Sequence, residues 1–184
     1  MSNYNKKTIT ILILIISIVS SIFLSGCTDE TNNEITDKWL FAMDNNDYQN
    51  SVQYKYNASA IPTLVIIDKD GDVIFYNRGK HDKELLIPYI EQAIKGTANK
   101  LGTSIDFTVK TFNNETFTLS GKKGHVVLLD IMGVGCPPCV AQMPELQEIK
   151  MEYGNDVILL SVDVRFTGET QEKVIETYGE YILL

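Results

Sequence analysis

The stretch of sequence that decides the fold runs from an apolar segment into a pair of cysteines: Val126-Val127-Leu128-Leu129-Asp130-Ile131-Met132-Gly133-Val134-Gly135-Cys136-Pro137-Pro138-Cys139. The residues before Gly133 are apolar except for Asp130, as expected of a strand that is covered on both faces. After a loop that contains two glycines, apolar residues recur at helical spacing as far as Tyr153. The stretch therefore predicts a strand, a tight loop and a helix that opens at Cys136.

The predicted place of Cys136 at a helix N-terminus gives its sulfur a particular chemistry. Unpaired backbone N–H groups and the helix dipole stabilise a thiolate there, and they lower the pKa of the thiol well below its usual value of about 8.5. Cys139 follows one turn later and can reach the first sulfur to close a disulfide. The pair can therefore accept or donate two electrons through a mixed disulfide.

The first 26 residues have the organisation of a secretion signal. Two lysines precede an uncharged run from Thr8 to Leu24, which is followed by Ser25, Gly26 and Cys27. This ending resembles the lipobox of bacterial-type lipoproteins, which implies that Cys27 is lipidated and that acyl chains hold the protein on a membrane. An uncleaved signal anchor is the alternative, since the run is just long enough to span a bilayer. In both cases we expect the folded part to work on the extracytoplasmic face of the cell membrane.

The composition suits one globular domain. The 184 residues are 44% hydrophobic and 22% charged, which excludes collagen-like, mucin-like and largely disordered proteins. The first 26 residues hold two of the 16 basic residues and no carboxylate, so the remainder carries 14 basic and 24 acidic residues, a net charge of −10. Because so acidic a surface repels phosphates, we expect no nucleic-acid partner.

A structural zinc site is the usual alternative for two cysteines at this spacing. Lipidation of Cys27 leaves only Cys136 and Cys139, and the chain has two histidines, His81 and His125, each beside charged or loop residues. We interpret both histidines as surface residues. The sequence therefore predicts no metal and no cofactor.

Clear strand signals also lie upstream, between Trp39 and Lys95. Ile61 to Ile67 is an apolar run, Asp68 to Gly71 has turn chemistry, and Val73 to Tyr76 is a second apolar run. Together they predict a hairpin, which is followed by a helix that ends at a glycine.

Further elements are predicted downstream of this helix. The alternation around Asn113-Asn114 predicts another hairpin, and Val157 to Val164 a second apolar strand. The helix after the cysteines is expected to point Val140, Met143, Leu146, Ile149 and Tyr153 inward. A last helix over Glu169 to Tyr178 is expected to do so with Val174, Ile175 and Tyr178. The fold class is α/β, with a central mixed sheet and flanking helices.

These residues resemble a known family, the thioredoxin fold of the TlpA-like, membrane-tethered type. The stretches similar to its first half are Lys123 to Asp130, Cys136-Pro137-Pro138-Cys139, Met143-Pro144-Glu145-Leu146 and Val157 to Val164. The resemblance implies a thiol-disulfide oxidoreductase in which Cys136 attacks a disulfide and Cys139 resolves the mixed disulfide. It also implies a buried carboxylate, Asp130, with a raised pKa that fits it to exchange a proton with Cys139.

The same resemblance implies the partners. They are protein disulfides or dithiols, with a membrane redox donor that the sequence does not name, and we favour disulfide reduction over oxidation. The second half of the family's fold is similar to Ile61-Pro62-Thr63 and the hairpin and helix that follow. In the family, backbone before a cis-proline pairs with the substrate beside the reactive sulfur, which implies this role for Ile61 and Pro62.

The two halves stand in the reverse of the family's order. The chain divides into a signal or anchor (1–26), the lipidated cysteine and a polar tether (27–38), the second-half-like part (39–95), a connector (96–104) and the first-half-like part with the cysteine motif (105–184). This order predicts a circularly permuted thioredoxin fold. The alternative is a truncated fragment of a tandem array, in which complete domains form only between chains.

Two departures from the family bear on its function. Gly135 stands where the family has tryptophan, and Gln142 stands where several cytochrome-maturation members have glutamate. A redox-inert binding lipoprotein is the alternative from outside the enzymes. A peroxidase of the peroxiredoxin class is disfavoured, because Gly133 occupies the place of its threonine.

Overall fold

The computed structural model describes residues 38–166 and 168–182. Its strands are β1 (Leu40–Met43), β2 (Thr63–Ile67), β3 (Asp72–Arg78), β4 (Gly102–Thr103), β5 (Thr108–Lys110), β6 (Thr116–Thr118), β7 (Val126–Met132) and β8 (Val157–Asp163). Its helices are α1 (Val52–Lys55), α2 (Lys83–Lys95), α3 (Pro137–Tyr153) and α4 (Gln171–Ile182), with 3-10 turns at Tyr48–Asn50, Leu119–Lys122 and Gly154–Asp156. The predicted signal segment and Cys27 lie outside the described residues. Within these ranges, no helix combines the length and the apolar character that crossing a bilayer requires.

The central sheet has the strand order β1-β8-β7-β2-β3-β4. Strands β1, β8 and β7 run parallel, whereas β2 is antiparallel to both β7 and β3, and β4 is antiparallel to β3. Strands from before residue 96 therefore lie on both sides of the β8–β7 pair. The predicted hairpins are both present, as β2–β3 and β5–β6. The predicted α/β fold with a central mixed sheet and flanking helices is confirmed.

Alternation along β7 builds two hydrophobic layers. Val126, Leu128 and Met132 face α2, α3 and α4, where the buried cluster also contains both cysteines of the motif. Val127, Leu129 and Ile131 face the other layer, which is closed by α1 and the β5–β6 hairpin. Asp130 lies two residues after Leu128 in the strand and therefore on the same, helix-covered face. It has no exposed surface.

The connector between residues 96 and 104 is fastened to the turn of the β2–β3 hairpin. The Lys100 Nζ atom lies 2.8 Å from a carboxylate oxygen of Asp72 and 3.0 Å from one of Asp70. The backbone N–H of Ser104 donates to the Gly71 carbonyl oxygen at 3.0 Å. Since exposed ion pairs contribute less than about 1 kcal/mol each, backbone pairing contributes most to holding the connector.

Two helix faces differ from the sequence prediction. Val140 is 47% exposed and Ile175 is 43% exposed, although both were predicted to point inward. In α4, Val174 and Tyr178 lie four residues apart and form the face that packs against the sheet. Ile175 lies at the side of this face and is therefore partly exposed. Helix α4 also starts later than predicted and extends to Ile182, where the Tyr181 ring packs against Trp39 with centroids 5.5 Å apart.

Candidate active site

A disulfide joins Cys136 and Cys139 at the start of α3, with their Cα atoms 5.2 Å apart. Cys136 is the N-cap of the helix, and its Sγ accepts a hydrogen bond from the Cys139 backbone N–H at 3.2 Å. The same N–H would stabilise a thiolate on Cys136 after reduction. Cys136 is 8% exposed and Cys139 is fully buried, so an incoming reactant reaches the Cys136 sulfur first.

Ile61 and Pro62 lie beside this disulfide. The Ile61–Pro62 peptide bond is cis, and the Ile61 carbonyl oxygen lies 3.7 Å from the Cys136 Sγ atom. A Cβ atom on Gly133 would lie only 3.0 Å from the Ile61 Cδ1 atom, so glycine at this position makes room for Ile61. The structure therefore brings together four residues predicted for the site, from parts of the chain on either side of the connector.

The loop between β7 and α3 is held by a buried carboxylate. Asp163, at the end of β8, accepts from the Val134 N–H at 3.2 Å and from the Arg165 N–H at 2.8 Å. Gly135 has φ +73°, in the left-handed region that favours glycine, and no atom lies within 4 Å of a Cβ built on it. A tryptophan at this position would strain the backbone of the loop.

Asp130 lies on the helix-covered face of β7, directly opposite Ser161 of β8 in register. The Ser161 hydroxyl donates to Asp130 Oδ2 at 2.9 Å, and the Trp39 indole N–H donates to Ser161 Oγ at 3.0 Å. Asp130 Oδ1 is buried without a hydrogen-bond partner. Burial raises the pKa of Asp130 from 3.8 to about 7, against the smaller lowering effect of the Ser161 hydrogen bond. The carboxyl group can therefore gain and lose a proton near neutral pH.

Tyr178 closes the helix layer at the end of β7. Its hydroxyl donates to the Gly133 carbonyl oxygen at 2.9 Å, and its side chain is fully buried. Burial raises the pKa of Tyr178, and the nearby charges of Asp130 and Asp163 raise it further. The phenol therefore stays protonated and supports the loop that leads to Cys136.

The loop after β3 is fastened to the cysteine helix. The buried Gln142 side chain accepts from the His81 N–H at 2.7 Å and donates to the His81 carbonyl oxygen at 3.0 Å. Glu145 accepts from the Lys83 N–H at 2.9 Å and pairs with Lys80 at 3.1 Å. Gln142 thus holds the backbone of His81 against the cysteine helix.

The prediction that the histidines are surface residues is wrong in part. Both are half-buried, and His81 Nε2 and His125 Nδ1 are buried atoms without a hydrogen-bond partner. The His81 ring packs edge-on against Phe75, with centroids 5.8 Å apart, because Gln142 holds its backbone against α3. Among residues 38–166 and 168–182, no group of three or more His, Cys, Asp or Glu side chains is placed to hold a metal ion.

Part of the chain matches a known protein family. Residues 100–184, somewhat less than half of the chain, match the Redoxin family model. The matched segment contains both cysteines and Asp130, and it does not include Ile61 or Pro62. No solved structure gives a significant match.

Two curated proteins are similar to part of the chain. One is the thioredoxin-like protein YneN of Bacillus subtilis (strain 168), 29% identical over 75 residues, which are 41% of this chain and 44% of that protein. The other is the thiol-disulfide oxidoreductase ResA of Halalkalibacterium halodurans, 26% identical over 77 residues, with the same two shares. The chain thus spans less than half the length of the curated relatives it matches. With the mixed sheet and flanking helices, these matches support a thioredoxin-fold oxidoreductase.

Sequence reasoning missed the partners of Asp130. Ser161 is the polar residue that interrupts the apolar run of β8, as Asp130 interrupts β7. Two such interruptions in neighbouring parallel strands are a usable signal, because a shared register places them side by side. Trp39 carried no such signal, since its contact with Ser161 depends on how β1 is added to the edge of the sheet.

Proposed function

We propose that this protein is a thiol-disulfide oxidoreductase that exchanges its Cys136–Cys139 disulfide with protein substrates. One observation carries the proposal: the more exposed cysteine of a disulfide at a helix N-terminus has its sulfur 3.7 Å from the Ile61 carbonyl oxygen. An extended substrate chain that pairs with the Ile61 backbone would bring its own disulfide to Cys136. The Redoxin match and the two relatives support the same chemistry.

The proposed reaction proceeds in two exchanges. In the reduced protein, the Cys136 thiolate attacks one sulfur of the substrate disulfide, that S–S bond breaks, and the other substrate sulfur leaves as a thiolate. Cys139 then loses its proton and attacks the Cys136 sulfur. The intramolecular disulfide forms, the mixed disulfide breaks, and the substrate has gained two electrons.

We assign Asp130 as the proton acceptor for Cys139. It lies on the sheet face that the cysteine helix covers, and burial places its pKa at about 7. Its Oδ1 atom is buried and has no hydrogen-bond partner. A base with a pKa near the working pH is suited to proton transfer.

The reduction of insulin disulfides tests the proposal. We expect the full chain, reduced and freed of excess reductant, to reduce insulin stoichiometrically, and to do so catalytically when dithiothreitol restores its thiols. Turbidity of the released insulin B chain measures the reaction, and a sample alkylated at its cysteines is the control. Oxidation of reduced ribonuclease by the disulfide form measures the opposite direction. A folded chain that performs neither reaction would favour a redox-inert binding protein.

We further propose that the two halves of a thioredoxin fold are circularly permuted within one chain. The strand order supports this, because β1, β2 and β3 flank β8 and β7, and the connector is paired with the β2–β3 turn. Tyr181 packs on Trp39, so the end of α4 lies beside the start of β1. Sedimentation of the active chain should give the mass of a monomer, whereas an obligate oligomer would support exchange of halves between chains.

We also propose that the protein acts outside the cytoplasmic membrane, tethered through lipidated Cys27. The uncharged run from Thr8 to Leu24, ending in Leu-Ser-Gly-Cys, supports this. Replacing Cys27 by alanine should remove the acyl chains, and with them most of the affinity for the membrane. Fractionation of cells that express the variant measures the shift. If the variant stays in the membrane fraction, the signal-anchor alternative is favoured.

A further inference from the structure

A buried line of hydrogen bonds connects the first strand to the carboxyl group of the candidate site. It runs from Trp39, just before β1, through Ser161 of β8 to Asp130 of β7, over distances of 3.0 Å and 2.9 Å. All three side chains are buried on the helix-covered face of the sheet. The proposed mechanism, as described above, gives no role to Trp39 or Ser161.

The directions of these two hydrogen bonds follow from the groups themselves. An indole N–H can only donate, so the Ser161 oxygen must be the acceptor from Trp39. The single hydroxyl proton of Ser161 is then free to point at Asp130 Oδ2, where it favours the ionised carboxylate. The indole in this way sets the orientation of a hydroxyl that would otherwise rotate.

The two oxygens of Asp130 are therefore not equivalent. Oδ2 is held by Ser161, whereas Oδ1 is buried and has no partner. A buried polar atom without a partner is costly, and sites of this kind are commonly functional. One held oxygen and one free oxygen suit a carboxylate that must keep its place while its protonation changes.

We infer that Ser161, oriented by Trp39, is a positioning residue that holds one oxygen of Asp130 and leaves the other free to take the proton of Cys139. This inference rests on the proposed function. The proton passes from the Cys139 thiol to the Asp130 carboxylate as the Cys139 sulfur attacks Cys136. The bond to the substrate sulfur breaks, and the substrate leaves as a thiolate. The hydroxyl of Ser161 thus lowers the pH above which the Asp130 carboxylate can accept a proton.

Other titratable groups face this region, and their titration must be distinguished from that of Asp130. Tyr178 of α4 interacts with the charges of Asp130, Asp163 and Glu169. Asp163 lies two residues beyond Ser161, and burial raises its pKa. From α3, the cysteines face the same cluster, but they do not titrate while joined as a disulfide. The β2 residue paired with Asp130 is Leu64, which has no charge.

The chain contains a reporter for the experiment, since Trp39 is its single tryptophan. We expect the tryptophan fluorescence of the oxidised full chain to change with pH in a transition centred near pH 7, the pKa of Asp130. The Asp130→Asn variant should lack this transition. A wild-type signal without a transition between pH 5 and 9, or one that persists in Asp130→Asn, would overturn the inference.

Variants of Ser161 then test its role. Ser161→Ala should move the transition upward by about one pH unit or more, because the ionised carboxylate loses its donor. Ser161→Thr and Ser161→Val form a matched pair of nearly equal shape, so the pair remains informative if the alanine variant folds poorly. Threonine should keep the wild-type midpoint and valine should raise it. Equal midpoints for threonine and valine would contradict the inference.

The pH profile of exchange completes the test. In the reduced chain, Ser161→Val should move the pH midpoint of insulin reduction in the same direction as its fluorescence midpoint. Trp39→Phe, which removes the indole N–H, should move the exchange midpoint upward by less. If the wild-type chain reduces no disulfide but its fluorescence responds as expected, the proposed function fails while Ser161 still governs Asp130. If exchange is normal and the Ser161 variants leave both midpoints unchanged, the proposed function stands and this inference fails.

Discussion

Replacing Cys136 by serine should abolish disulfide exchange, whereas replacing Cys139 by serine should yield a chain that retains its substrate as a mixed disulfide. Cys136 offers the only partly accessible sulfur of the pair, and the Cys139 N–H at 3.2 Å is placed to stabilise its thiolate. A serine hydroxyl there is a far weaker nucleophile, so the first exchange does not start. With Cys139 absent, the first exchange takes place and the second cannot.

The two variants are distinguished by their products. Non-reducing electrophoresis and mass spectrometry after reaction with a disulfide-bonded substrate should show an adduct on Cys136 in Cys139→Ser and none in Cys136→Ser. Cys27→Ser is the matched control, because it removes the one cysteine outside the pair and should leave exchange intact. An adduct on Cys139 in the Cys136→Ser variant would reverse the assigned roles. Full turnover by the Cys139→Ser variant would show that Cys139 is not needed to resolve the mixed disulfide.

The stability of the wild-type chain should fall by about 4 kcal/mol between pH 4 and pH 8 relative to that of the Asp130→Asn variant. Burial raises the pKa of Asp130 from 3.8 in the unfolded chain to about 7 in the folded chain. Below pH 3.8 both states hold the proton and the group has no effect. Between the two values the unfolded chain releases the proton first, so the free energy of unfolding decreases as the pH rises. Above pH 7 the loss is complete.

Urea denaturation of the oxidised wild type and variant at several pH values measures this difference. Asp163→Asn is the comparison variant, since both oxygens of Asp163 accept backbone hydrogen bonds and an amide can replace only one of them. Because burial also raises the pKa of Asp163, this variant too should gain stability relative to the wild type as the pH rises, offset at every pH by the loss of one backbone hydrogen bond. A wild-type curve parallel to that of Asp130→Asn from pH 4 to pH 8 would show that Asp130 ionises as easily in the folded chain as in the unfolded chain.

Local sequence patterns were sufficient for the parts of the site that depend on one segment. The strand, glycine loop and cysteine pair define the environment of Cys136 by themselves, because the helix start follows from neighbouring residues. The hairpin containing β2 and β3 was likewise readable from its turn. Asp130 could be singled out because burying a carboxylate in an apolar strand costs free energy, and such a residue is therefore a candidate for a functional role.

The remaining parts of the site depend on contacts between distant segments. Trp39 and Ser161 are 122 residues apart, and Gln142 and His81 are 61 apart. Nothing near His81 predicts that Gln142 will bond both its N–H and its carbonyl group and draw it inward. The exposure of Ile175 has a similar origin, because an apolar residue at the edge of a helical stripe is buried only if a neighbouring element covers it.

The strand order also determines when the chain can fold. Phe41 of β1 pairs in register with Ser161 of β8, and Thr63 of β2 with Ile131 of β7. The β2–β3 hairpin can form early, but its β2 edge has no neighbour until β7 has been synthesised, and β1 has none until β8 follows. Pairings so distant in sequence make folding slow and late, because a long loop must close before they form. The sheet therefore cannot be completed before β8 has been synthesised, and until then the strands that precede the connector have edges without partners.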